Sequence, residues 1–70
     1  MRNYLEDGLR LKVARLRAGL KQLDVSLAIG VGEGEISAYE TGRHRAPTEI
    51  VFKICHLLKC KPEEIFADRF

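Results

Sequence analysis

Residues 22–42 read QLDVSLAIGVGEGEISAYETG, and this stretch decides the fold. Apolar residues fall at Leu23, Val25, Leu27 and Ile29, then at Val31, Ile36 and Tyr39. The spacing predicts a short helix over about 22–28, a tight turn between Ile29 and Gly32, and a second helix starting at Gly32 or Glu33 and ending near Thr41-Gly42. Gly30 gives the turn a residue that takes positive φ at little steric cost. Lys21 is the weak point, because it stands where Ser or Thr would normally cap a helix. Gly32 is an acceptable N-cap, and Glu33 and Glu35 suit the positive end of the second helix's dipole.

Two short helices joined by a glycine-bearing turn form the helix-turn-helix pattern. Its best-known use is to place the second helix in the major groove of DNA. On the N-terminal side, Leu9, Val13 and Leu16, with Ala14, outline a helix from Gly8 or Leu9 to about Ala18, closed by Gly19. Residues 1–7 show no periodicity and read as a flexible arm. On the C-terminal side, Pro47 ends any helical continuation through the loop 43–47. Thr48 is the expected N-cap of a fourth helix whose broad apolar face is Ile50, Val51, Ile54, Cys55, Leu57 and Leu58. After a break at 59–61, Pro62 opens a short fifth helix anchored by Ile65 and Phe66. No strand signal or repeat is present. The expectation is an all-α, compact five-helix bundle: one domain over 8–66 with a tail at 67–70.

The chain has 70 residues, and a domain near this size buries only ~60% of its unfolded surface. Its net charge is a mild +2, but the distribution is uneven. Arg10, Lys12, Arg15, Arg17 and Lys21 lie in a run without an acid, and Arg43-His44-Arg45 follows the central stretch. Two solvated surfaces would explain them; so would the footprint of a nucleic-acid binder, if the fold brings them together. Cys55 and Cys60 flank His56, but neither a C-x-x-C pair nor a second His/Cys pair accompanies them, so no metal or other cofactor is expected. Cys55 falls on the apolar phase with Val51 and Leu58 and reads as a buried structural thiol. No nucleophile–base set and no phosphate-cradling loop after a strand appear, and a small helical domain has little room for a cleft, so no enzyme is expected. Without a spanning segment or signal-peptide core, the expected location is cytoplasmic, with no membrane partner.

Residues 9–66 resemble the helix-turn-helix domain of the phage repressor/Cro (XRE) family, the lambda-repressor-like fold. Gly19-Leu20, Gln22, the Ile29-Gly30-Val31 turn, Ile36-Ser37, Glu40 and Gly42 carry the match at the family's spacing without a gap. The tail KICHLLKCKPEEIF is similar to the family's fourth and fifth helices.

The resemblance implies roles for particular residues. Gln22 would touch a phosphate and brace the first residue of the recognition helix. Gly32 stands where relatives offer a hydroxyl to a phosphate, and it has only its backbone N–H to give. The base-reading positions fall on Glu33, Gly34, Ser37 and Ala38. Thr41 and Arg43 would grip the DNA backbone, with Arg45 and Lys21 as further phosphate candidates. Arg15 and Glu40 would form a structural ion pair. Relatives commonly carry Gln, Arg, Ser or Thr where this chain has Glu33, Gly34 and Glu35. Glu33 either accepts from a cytosine amino group or serves only the helix dipole, and Glu35 fits the second role.

The function so implied is a sequence-specific double-stranded DNA-binding regulator or repressor, acting as a homodimer on a two-fold symmetric operator with no small-molecule domain. One module buries only ~600–1,000 Å² on DNA, so two half-sites are the usual route to affinity. The expected dimer surface is Ile65, Phe66 and Phe70, with Phe66 in the monomer's core as the alternative. Two rival readings are a protein-interaction module, such as an antitoxin-like or adaptor subunit, and a nonspecific DNA binder.

Overall fold

A computed structural model of the chain describes residues 4–67 and residue 69. The described residues form five helices: α1 Leu5–Arg17, α2 Gln22–Ile29, α3 Glu33–Glu40, α4 Thr48–Leu58 and α5 Pro62–Ile65. Helix α3 packs on α1 and α2, α4 on α2 and α5, and α5 closes the bundle against α1. The core between them is Leu11, Val25, Ile29, Ile36, Tyr39, Val51, Ile54, Cys55, Ile65 and Phe66, with Ala46 and Ile50 at its edge. No described helix is long and apolar enough to cross a membrane.

The central turn forms as its composition dictates. Gly30 ends α2 at φ 78°, ψ 29°, the left-handed region, and its N–H donates to Ser26 O. Gly32 then enters α3 in an extended conformation, with φ −66° and ψ 150°. The weak cap at Lys21 has a local remedy. Asp24, in the first turn of α2, accepts from the Lys21 N–H at 2.8 Å and so satisfies a donor at the helix start.

Helix α1 departs from its sequence reading twice. It starts at Leu5, three residues before the expected first position, so residues 5–7 of the expected arm are helical. Gly8 lies inside the helix because α1 passes very close to the end of α3. A Cβ at Gly8 would fall 2.4 Å from the Glu40 carbonyl oxygen and 2.5 Å from that of Tyr39. A glycine that reads as a helix start is a close-approach site.

The expected inner face of α1 is also wrong. Leu9, Val13 and Leu16 are 50%, 45% and 56% exposed, whereas Asp7, Gly8, Leu11 and Arg15 are buried. That inner face combines the fully buried Leu11 with paired charges. Arg15 is held inside by Glu40, and Arg10 turns towards Asp7 and donates from Nε to Ile65 O at 2.6 Å, tying α1 to α5.

Helix α4 keeps its expected face: Ile50, Val51, Ile54 and Cys55 are buried, with Leu57 and Leu58 packed against the core. Its cap is shifted by one residue, since Pro47 occupies the N-cap and Thr48 is the first helical residue. Pro62 opens α5 as expected. Ile65 and Phe66 are only 2% and 3% exposed. Their apolar surface is spent inside this chain, which corrects their assignment to a dimer surface. Phe70 lies outside the described residues, as do residues 1–3 of the expected arm. The Arg69 guanidinium donates to Ala46 O at 2.6 Å and to Thr48 Oγ1 at 3.1 Å and lies over the Phe66 ring.

Candidate nucleic-acid interface

The recognition element is placed by a buried network at the end of α3. Arg15 Nε donates to Glu40 Oε2 at 2.6 Å and Arg15 Nη2 to Glu40 Oε1 at 3.1 Å, a two-pronged contact between side chains almost out of solvent. Arg15 Nη1 also donates to Leu20 O at 2.8 Å. Gln22 Nε2 completes the set by donating to Glu40 Oε1 at 3.0 Å. One carboxylate thus pins α3 to both α1 and the start of α2. Removing charges from water is costly unless they are paired and hydrogen-bonded, and here both conditions are met.

This network decides where the cations go. Of the basic run 10–21, Arg10 and Arg15 are used internally, while Lys12, Arg17 and Lys21 remain exposed. The Gln22–Glu40 bond brings the start of α2, and with it Lys21, against the end of α3. The loop leaving α3 starts at the same place. Arg43 Nε donates to Thr41 Oγ1 at 3.2 Å, and Thr41 Oγ1 itself donates to Ser37 O at 2.9 Å. Arg43 and Arg45 are both exposed. Lys21, next to Gln22, and Arg43, bonded to Thr41, are both exposed.

The face of α3 is sparser than the resemblance implies. Glu33 and Gly34 are exposed, and nothing lies within 4 Å of the place where a Gly34 Cβ would sit. Ser37 is partly exposed. Ala38 is 1% exposed and belongs to the interior, so its small side chain serves packing and cannot reach a base. Gly32 is exposed and leads into the first turn of α3. Gln22 gives its amide to Glu40, so the expected brace on Glu33 is absent here.

Glu35 belongs to a cluster that sequence reading missed. Its Oε2 lies 3.2 Å from His44 Nδ1 across the loop, and Tyr39 stands close enough to feel its charge. Burial raises the Tyr39 pKa above its ordinary 10.0, and the neighbouring Glu35 charge adds to the effect. Glu35 is therefore turned to its own loop and engages more than the helix dipole. The available signal was the spacing of Glu35 and Tyr39, one helical turn apart on the same face.

The rest of the chain offers little other chemistry. No group of three or more potential metal ligands occurs among the described residues. Both cysteines are free thiols. Burial, then the adjacent Cys60, pushes Cys55 up to about 12, and burial raises Cys60 as well. Thiols held protonated are poor nucleophiles.

A helix-turn-helix family pattern matches residues 11–65 of the chain. Comparison with curated protein sequences finds no match. Among solved structures, the chain is similar to the restriction-modification controller protein of Aeromonas hydrophila, with a TM-score of 0.85 and 24% identity over 90% of this chain and 96% of that one. It is also similar to the clp gene regulator of C. glutamicum, with a TM-score of 0.83 and 23% identity over 91% of this chain and 83% of the other. At such identities the likeness is one of fold.

Proposed function

The chain belongs to the XRE-type helix-turn-helix family of DNA-binding regulators, and from that premise we propose that it represses transcription as a homodimer on a two-fold operator, with α3 in the major groove. The observation that carries this reading is the network at Glu40. One buried carboxylate ties α3 to α1 and to the start of α2, with exposed Lys21 next to Gln22 and exposed Arg43 in the loop that leaves α3. Cations so placed suit phosphates on the rims of a groove that an α-helix fits.

Reading of bases falls to Glu33, Gly34 and Ser37. Glu33 is exposed in the first turn of α3. It supplies an acceptor for a cytosine amino group, while the bare Gly34 allows close approach of the helix backbone. Lys21, Gln22, Gly32, Thr41, Arg43 and Arg45 serve the sugar-phosphate backbone. Thr41 acts largely by steering Arg43, since its hydroxyl is already engaged with Ser37 O.

Selection of binding sites from random duplex, followed by two substitutions, tests the reading. Arg43→Ala is expected to weaken binding to all sequences and to reduce the slope of log affinity against log salt by about 0.9 per half-site, about 1.8 for the dimer on its operator. Glu33→Gln is expected to relax the preference at one base pair per half-site by ~1–3 kcal/mol. An unchanged salt slope would refute the docking, and an unchanged base preference would remove Glu33 from the reading surface. A selection that returns no common site would leave a nonspecific binder.

A further inference from the structure

The corner between α4 and α5 is closed by a turn that brings the two cysteines of the chain together. Lys59 ends α4 in the left-handed region, at φ 56° and ψ 47°. The Cys60 N–H donates to Cys55 O at 3.0 Å, and the Lys59 N–H donates to His56 O at 3.3 Å. That pair of bonds is the Schellman motif. In it the residue just past the left-handed one commonly packs its side chain on the residue five positions earlier. Here those two residues are Cys60 and Cys55. Cys55 belongs to the core and Cys60 packs against it, near enough to raise the pKa of the Cys55 thiol.

The two thiols differ in access. Cys55 is 3% exposed, whereas Cys60 is partly exposed and lines a groove between α1 and α5 with Leu9, Arg17 and Glu64. Both are free, and no group of three metal ligands forms around them among the described residues. A chemistry open to adjacent free thiols, one of them reachable from solvent, is closure to a disulfide.

We propose that Cys55 and Cys60 form a reversible redox-modification site, closing to an intrachain disulfide by exchange with a low-molecular-weight disulfide. Cys60 gives up its proton, and its thiolate attacks one sulfur of the oxidant, whose S–S bond breaks to release one thiolate. Cys55 then gives up its proton, attacks the Cys60 sulfur and expels the second thiolate. The leaving thiolates take up the two protons. The chain is oxidised by two electrons, and the small disulfide is reduced to two thiols. Burial raises the pKa of both cysteines, so the exchange is slow near neutrality and quickens as pH rises. The site does not depend on the DNA-binding proposal, because neither cysteine is a candidate DNA contact.

The test treats the reduced full chain with excess oxidised glutathione at mildly alkaline pH. The expected product is a monomer lighter by two hydrogen atoms, with no thiol left for alkylation. Tryptic cleavage after Lys53 and Lys59 should give residues 54–59 linked to the peptide that begins at Cys60, and dithiothreitol should separate them. Cys55→Ala should stop at one glutathione on Cys60, and Cys60→Ser should leave Cys55 unmodified while the chain is folded. Equilibration in glutathione buffers, with and without denaturant, reads what the turn contributes. The folded chain is expected to close with an equilibrium constant at least about tenfold higher than the unfolded one. Stable glutathione adducts on the parent chain, linkage only between chains, or a folded chain that stays reduced would each overturn the proposal. So would equal closure in the unfolded chain, because the turn would then contribute nothing.

Discussion

Helices α1 and α4 both carry an apolar pattern at helical spacing, yet only α4 buries the residues that its pattern marks. In α4 the buried set is Ile50, Val51, Ile54 and Cys55, the face visible in the sequence. In α1 the marked residues Leu9, Val13 and Leu16 face water to about half their area, while Leu11 lies inside together with a glycine, an aspartate and an arginine. The difference is one of partners. Helix α4 packs on α2 and α5, and apolar area governs its orientation. Helix α1 packs on α3, where a buried carboxylate awaits a cation and the backbones touch too closely for any side chain.

The sharpest way to break this comparison is to remove the charge that pairs with Arg15 of α1. Glu40→Ala leaves the Arg15 guanidinium buried without its partner and is expected to destabilise the fold by ~3–5 kcal/mol in chemical denaturation. Replacing both residues by apolar ones of similar volume should restore most of that loss, which identifies the cost as the stranded charge. On the α4 side, Ile54→Ala is expected to lose ~2–5 kcal/mol, because Ile54 is fully buried and the site cannot fully collapse.

Smaller effects sharpen the contrast. Gly8→Ala drives a methyl group into the Tyr39 and Glu40 carbonyls and should cost ~1–3 kcal/mol, although alanine is the better helix former. Leu16→Ala, which the sequence pattern would rank beside Ile54→Ala, should change stability by no more than ~0.5 kcal/mol. A loss at Leu16 comparable to that at Ile54 would show that α1 buries its apolar stripe in solution.

Much of the architecture was legible in advance. Gly30, Pro47 and Pro62 act through their own backbone restrictions, so the turn, the loop and the start of α5 follow from local chemistry. The Arg15–Glu40 pair was accessible through resemblance alone, since nothing local links residues 25 positions apart. The candidate interface was only partly legible. Glu33, Gly34 and Arg43 are on the surface as expected, whereas Ala38 is inside and Gln22 is occupied with Glu40. The Glu35–His44 contact depends on where the loop after α3 returns, which no periodicity records.

By itself the sequence determined the number and order of the helices, the glycine turn between α2 and α3, and the burial of α4. These follow from backbone preferences and from apolar spacing within a single helix. Only the tertiary structure decided which side of α1 turns inward, which cations remain outside, and which residues of α3 are left on the surface. Those outcomes depend on pairings between distant residues, which no pattern within a single helix records.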